Sequence, residues 1–262
     1  MTAPQMNLPS DIRRIVIFQA LFLGDLLMAA PAWHAVRRRF PQAEISLIGL
    51  PWTSQILPHM PGLIDRLLPF PGYAGIHEAP YTVERSEQFL QSQRSYGYDL
   101  AIQMHGDGNV SNGFVQALGA AASLGYARPG DERLAIALPY NPQQNENLRW
   151  LELVAVTGAR PVERPVFLKL SPNDTVRARS ITPRPPANLP VIGLHVGAKD
   201  PIRRWPATRF AALGQELHQR TGAEFVLTGS ASERLACKLV RTMIGAPVID
   251  LSARTTIGEF AP

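Results

Sequence analysis

The sequence predicts an α/β protein made of two doubly wound parallel sheets in tandem, the second incomplete. Three observations lead there. Short apolar runs alternate with helical segments along most of the chain, the pattern of βαβ units. A proline-rich stretch, 161–190, interrupts that alternation once and reads as a connection between domains. The alternation resumes at Val191 and stops at residue 262, early for a doubly wound domain. The expected division is therefore 1–160, a linker over 161–190, and a partial domain over 191–262.

Arg14–Phe18 (RIVIF) is a continuous apolar run and predicts a buried strand. Asp25–Phe40 predicts a helix whose Arg37-Arg38-Arg39 suits the negative end of the helix dipole. Glu44–Gly49 (EISLIG) predicts a second strand, Ile64–Pro69 an extended segment, and Val83–Arg94 a polar helix. Asp99–Met104 predicts a strand and Ser111–Ala121 a helix. Ser123–Ala127 predicts a further strand, and Asn147–Thr157 a helix that ends at Gly158. Beyond the prolines come a strand at Val191–Val196, a helix at Pro206–Arg220 and a strand at Glu224–Thr228. A helix at Ser232–Ile244 and a strand at Val248–Leu251 follow. Thr256 and Glu259 have the spacing of a capping box, which opens a helix. So little chain follows them that the sequence reads as stopping inside its second domain.

The composition is ordinary for a globular chain: 45% hydrophobic and 18% charged residues, with a net charge of +5. That charge suits an anionic ligand or membrane surface. The arginines are scattered and the aromatics form no stacking platform, which argues against nucleic acid. The single cysteine, Cys237, excludes an internal disulfide framework and suits a reducing compartment. The N-terminal stretch lacks the basic start and apolar core of a signal peptide. No apolar run reaches the roughly 18 residues that span a bilayer. A soluble, cytoplasmic protein is expected.

Ligands of open parallel sheets bind beyond the carboxyl ends of the strands, so the loops after strands are the candidate sites. After Phe18 the chain reads QALFLGDLL. Gly24 permits a tight turn, and Asp25 reads in two ways. It is a first-turn acid favoured by the helix dipole, or a general base held by the helix start. The loop after Val196, GAKDPIRRWP, brings Gly197, Lys199, Arg203 and Arg204 to a helix start marked by proline. It is either a solvated basic loop or an anion site built from cations and exposed N–H groups. After Thr228, Gly229 and Ser230 suit close approach of a nucleotide. Glu233 is a first-turn acid or an acceptor for ribose hydroxyls. The loop QMHGDGNVSN matches the dinucleotide fingerprint only in part, with no acid where that fingerprint needs one. His105 in it is a polar loop residue or faces the same site as Asp25. There is no phosphate-loop, zinc-protease or serine-elbow motif and no paired-cysteine spacing, so no metal ligands are assigned.

Four segments in register resemble one family. RRIVIFQALFLGDLLMAAPAW, with Pro31 six residues after Asp25, is similar to the opening of glycosyltransferase family 9, the ADP-heptose:lipopolysaccharide heptosyltransferases. HVGAKDPIRRWPATRF, FVLTGSASERLACKLV and VIDLSARTTIGEF resemble its later segments in order. The resemblance implies a GT-B architecture, two Rossmann-like domains across a cleft, with the acceptor on the first and the donor on the second. It implies inversion at the anomeric carbon with no cofactor beyond the donor, an ADP-linked sugar. Asp25 would be the base, with Gly24 and His105 on the acceptor side. Arg203 would stand near the donor phosphates, with Lys199, Arg204, Gly197, Gly229 and Ser230 around it and Glu233 near the ribose. The acceptor would be a lipopolysaccharide-type or lipid-linked glycan, met at the inner membrane surface. The family pattern continues with an Asp-x-Gly…His loop that lies beyond Pro262, so a nucleotide- or sugar-binding module without catalysis is the alternative.

Overall fold

The computed structural model describes residues 11–161, 168–182, 189–198 and 200–260. The chain divides into two units between Lys169 and Leu170. Both are parallel α/β layers, as the sequence predicts.

The first unit alternates β1 (Arg14–Phe18), α1 (Leu23–Arg39), β2 (Glu44–Gly49), β3 (Arg66–Pro69), α2 (Val83–Tyr96) and β4 (Leu100–Gln103). It continues with α3 (Ser111–Ala117), β5 (Ala122–Ala127), β6 (Ile136–Pro139) and α4 (Glu146–Ala155). The strands form one sheet in the order β3-β2-β1-β4-β5-β6, and every pairing is parallel. β1 lies at its centre, with Val16 in register with Ser46 on one side and Ala101 on the other. A central parallel strand is covered on both faces, which suits a run as apolar as RIVIF. The aromatic core gathers at its carboxyl end. The Phe18 ring centroid lies 4.6 Å from that of Phe114 and 5.2 Å from that of Phe70.

The arginine triplet that closes α1 is structural. Arg37 donates to the Ala43 carbonyl at 2.6 Å and pairs with Asp65, while Arg39 donates to the Thr157 carbonyl. α1 starts at Leu23, two residues before the expected Asp25, with extended Phe22 as its N-cap. In this unit the short edge strand β6 and the 3-10 turns at Pro51–Gln55 and Leu57–His59 were not expected.

The second unit holds α5 (Pro172–Ile181), β7 (Val191–His195), α6 (Ala207–Thr221), β8 (Glu224–Thr228), α7 (Arg234–Met243), β9 (Val248–Asp250) and α8 (Ile257–Phe260). Its strands run parallel in the order β7-β8-β9. The expected linker is corrected here. α5 lies inside 161–190, opened by Pro172 and by a capping box in which Ser171 and Asp174 satisfy each other's backbone N–H groups. Pro165, Pro183, Pro185 and Pro186 of that stretch lie outside the described residues. The capping box expected at α8 is present, with Thr256 N–H on Glu259 at 2.9 Å and Glu259 N–H on the Thr256 hydroxyl at 3.2 Å. Cys237 is fully buried in the core of this unit with Phe225, Leu227 and Val240. Among the described residues no helix is long and apolar enough to cross a membrane.

Gly108, after β4, has φ +83°, and a Cβ there would sit 2.0 Å from the Tyr126 carbonyl oxygen. Backbone strain and overpacking then act together, each worth about 1–3 kcal/mol. Gly108→Ala is expected to lower unfolding stability by about 2–4 kcal/mol in urea titration; a midpoint equal to wild type would refute this packing.

Candidate functional site

The strand order of the first unit dictates where its ligand site lies. From β1 the chain steps outward through β2 to β3, then returns to place β4 on the other side of β1. The loops after β1 and β4 therefore leave in opposite directions and open a crevice at the carboxyl ends of these two strands. Asp25 and His105 belong to those two loops.

Asp25 is the third residue of α1 and half-buried. Its Oδ2 accepts the Phe22 N–H at 3.0 Å. That bond satisfies one orphan donor of the helix start and leaves Oδ1 without a hydrogen bond among the described residues. The first-turn role read from the sequence is thus real, and it engages only one carboxylate oxygen. Buried Gln19 braces the loop: its N–H donates to the Ile48 carbonyl at 3.0 Å and its Nε2 to the Asp25 carbonyl at 3.2 Å. The expected tight turn at Gly24 is corrected. Gly24 is a helical residue of negative φ, and a Cβ there would meet nothing within 4 Å. What it supplies is open space beside Asp25.

His105 is a loop residue, and it is buried. Its ring stacks on Phe18 with centroids 4.9 Å apart and planes 12° from parallel. Nε2 lies 3.7 Å from Oε2 of Glu78, in the loop after β3. Its carbonyl accepts from Gln103 Nε2 at 2.6 Å and from the Ser111 hydroxyl at 2.7 Å. Its Nδ1 is buried with no partner among the described residues. The last residue of β1 thus carries the ring of the β4 loop.

Further along that edge, Asp107 pairs with Arg128 at 2.5 Å. Burial raises the Asp107 pKa, but the Asn109 N–H and Arg128 outweigh it and hold it low. Asp131 bonds Arg133 at 2.7 Å and Asn112 at 2.9 Å. The Arg133 guanidinium, against some burial, keeps its carboxyl well below the usual carboxylate range.

In the second unit the loops after β7 and β8 meet. A Cβ on Gly197 would lie 1.8 Å from Glu233 Oε1, so only glycine admits that carboxylate beside the backbone. Glu233 Oε2 accepts the Ser230 N–H at 2.6 Å. Burial raises the Glu233 pKa; the Ser230 N–H and hydroxyl, His195 and Arg204 together bring it below its ordinary value. Glu233 is therefore an ionised first-turn acid that also faces Gly197. Gly229 lies against Cys237 and Glu233. Arg204 is tied to the Ala198 carbonyl at 2.7 Å, and Asp200 caps the turn at Pro201–Arg203. Arg203 is exposed, and its guanidinium makes no ion pair or hydrogen bond among the described residues. α6 starts just beyond, with Pro206 as N-cap, no side-chain cap and no acid in its first turn. Lys199 lies outside the described residues. Among those described, no group of three or more His, Cys, Asp or Glu is placed to hold a metal ion.

Sequence reasoning missed Glu78 and the Asp131–Arg133 pair. Both follow strands on the carboxyl edge, and that position was the available signal.

Two parallel α/β units with loop sites at their carboxyl edges make a GT-B type of fold. Residues 87–262 match the profile of glycosyltransferase family 9 (heptosyltransferase). That match covers more than half of the chain, and the chain belongs to this family. Lipooligosaccharide heptosyltransferase 2 of Haemophilus ducreyi is 22% identical over 245 residues, 87% of this chain and 66% of that protein. The crystal structure of the glycosyl transferase family 9 from Veillonella parvula shares the fold with a TM-score of 0.72 at 18% identity, over 97% of this chain and 73% of that one. E. coli ADP-heptose lps heptosyltransferase II does so at 0.67 and 19% identity, over 95% and 75%. The chain thus spans about two thirds of its curated relative and about three quarters of these structures.

A carboxyl held low by its fold stabilises the protein above the ordinary carboxylate pKa of about 4 and loses that contribution as pH falls through its folded value. Asp131→Asn is expected to destabilise the chain at pH 7, and the difference from wild type is expected to shrink steadily below pH ~4. Urea unfolding at several pH values reads this; a gap that stays constant down to pH ~2 would contradict it.

Proposed function

We propose that this chain is an inverting glycosyltransferase that moves a heptose from an ADP-linked donor to a glycan acceptor of the lipopolysaccharide type. What supports this is Asp25 at the β1/β4 switch point, with one oxygen on the Phe22 N–H and the other without a hydrogen bond among the described residues. The heptosyltransferase relatives support the donor, since the similar E. coli enzyme is named for ADP-heptose.

The acceptor binds at the carboxyl edge of the first unit, over Gly24 and near His105. Asp25 Oδ1 takes the proton of the attacking hydroxyl as its oxygen bonds to the anomeric carbon. The bond from that carbon to the diphosphate breaks on the opposite face, and ADP leaves. Negative charge grows on the diphosphate, where Arg203, Arg204, Lys199 and the first N–H groups of α6 stabilise it. Gly197, Gly229 and Ser230 allow the nucleotide to lie close to the backbone. Glu233 accepts from the ribose hydroxyls through the oxygen that faces Gly197. The lipid-linked acceptor places the reaction at the cytoplasmic membrane surface, and no cofactor joins the donor.

Asn at position 25 keeps an oxygen for the Phe22 N–H, so it removes the base and spares the helix start. Asp25→Asn is expected to lower kcat by about 10²–10⁴-fold with unchanged denaturation; full activity would remove Asp25 from this role. Arg203→Ala is expected to weaken ADP binding in calorimetry, and equal affinity would exclude the phosphate contact. If ADP, UDP or GDP binds and no nucleotide-sugar is ever turned over, the chain is a binding module.

A further inference from the structure

We propose that the outer face of α7 is a docking surface for an anionic lipid bilayer. The proposal goes beyond the transfer reaction. It stands on the helix itself, whether or not the chain moves a sugar.

α7 reads RLACKLVRTM. Its inner face is set by Cys237 and Val240, both fully buried in one cluster with Phe225 and Leu227. Leu235, Leu239 and Met243 recur every fourth residue, so they form one row along the helix. They are 79%, 48% and 37% exposed. Single exposed leucines are ordinary, whereas a row of apolar side chains on one helix is a patch that calls for a partner. Arg234, Lys238 and Arg241 form a second row beside it, at spacings of four and three. α7 itself has no acid. Glu233, just ahead of it, holds the Ser230 N–H. The two rows meet at a groove of about 480 Å³, lined by Arg234, Leu235, Lys238 and Arg241, with Asp250 as its one acid. None of the three cations makes an ion pair or a side-chain hydrogen bond among the described residues.

Charge and apolar surface together choose the occupant. A bilayer with anionic headgroups takes both rows at once: Leu235, Leu239 and Met243 enter the edge of the acyl layer, and the cations meet phosphate. Arginine and lysine suit this place, because their stems lie along apolar surface while their charged heads stay in the headgroup layer. A basic amphipathic helix of ten residues is too short to span and lies in the plane of the interface. A second copy of the chain fits worse. Two α7 faces laid together would bring Arg234, Lys238 and Arg241 against their own counterparts, and like charges repel. A nucleic acid would meet the cations and leave the apolar row in water. The net charge of +5 agrees in sign with an anionic surface.

The test is flotation of the 262-residue chain with vesicles of phosphatidylcholine alone or of equal parts phosphatidylcholine and phosphatidylglycerol. The chain is expected to float with the anionic vesicles only, and less so as salt rises. The double variant Leu235→Ser, Leu239→Ser is expected to lower that binding about tenfold. Leu235→Met with Leu239→Met is expected to keep it, and Lys238→Glu with Arg241→Glu to abolish it. Arg38→Glu with Arg179→Glu, which changes the net charge equally but away from α7, is expected to bind as wild type. All these positions are surface residues, and equal urea midpoints check that each variant folds. No flotation with anionic vesicles, equal flotation with both kinds, indifference to the serine variant, or an equal loss in the distant charge variant would each overturn the proposal. So would a dimer seen in sedimentation without lipid and broken by the serine variant, since the face would then belong to a second copy. None of these outcomes bears on ADP binding or turnover, so the transferase reading stands or falls separately.

Discussion

The position of β1 constrains everything else in the first unit. It is the one strand whose neighbours are reached by chain leaving in opposite directions, and it must pair on both edges while buried on both faces. An apolar run such as RIVIF satisfies that demand, since each polar substitution would strand a group in the core. Because β2 and β4 diverge from it, the loops above β1 and β4 part and leave room. Asp25 and His105 are at this edge because of strand order, and Phe18, the last residue of β1, supports the His105 ring directly.

The candidate acids of both units hold helix or turn starts. Asp25 satisfies the Phe22 N–H and Glu233 the Ser230 N–H, each as the third residue from a helix or turn cap. A carboxylate has two oxygens, and a first-turn hydrogen bond occupies one. Under the proposed function the second oxygen is the one that acts, so one side chain would serve both the helix start and the chemistry. For the same reason a simple truncation to alanine at either position would confuse loss of a cap with loss of chemistry.

Much of this was legible in the sequence, for physical reasons that differ by element. β1, β2 and β8 were found with their bounds because buried parallel strands are unbroken apolar runs. β6 was missed because an edge strand of four residues carries a mixed pattern, half-buried at Ile136 and buried at Leu138. α5 was masked by the prolines around it, although Pro172 and the Ser171–Asp174 spacing were the marks of a helix start. Asp25 and the loops after Val196 and Thr228 could be picked out because they follow recognisable strands. The pairing of His105 with Glu78 could not be, since it depends on how the β3 loop arches back. The meeting of Gly197 with Glu233 was equally hidden, because it joins two loops through a missing side chain.

The central claim is that the second oxygen of Asp25 receives the proton of the acceptor. A crystal structure of the protein with ADP and an acceptor fragment tests it most directly. The account predicts an acceptor hydroxyl within about 2.6–3.2 Å of Asp25 Oδ1, with Oδ2 still on the Phe22 N–H. An acceptor bound with no hydroxyl near Asp25, or both carboxylate oxygens taken up by the helix start, would contradict it.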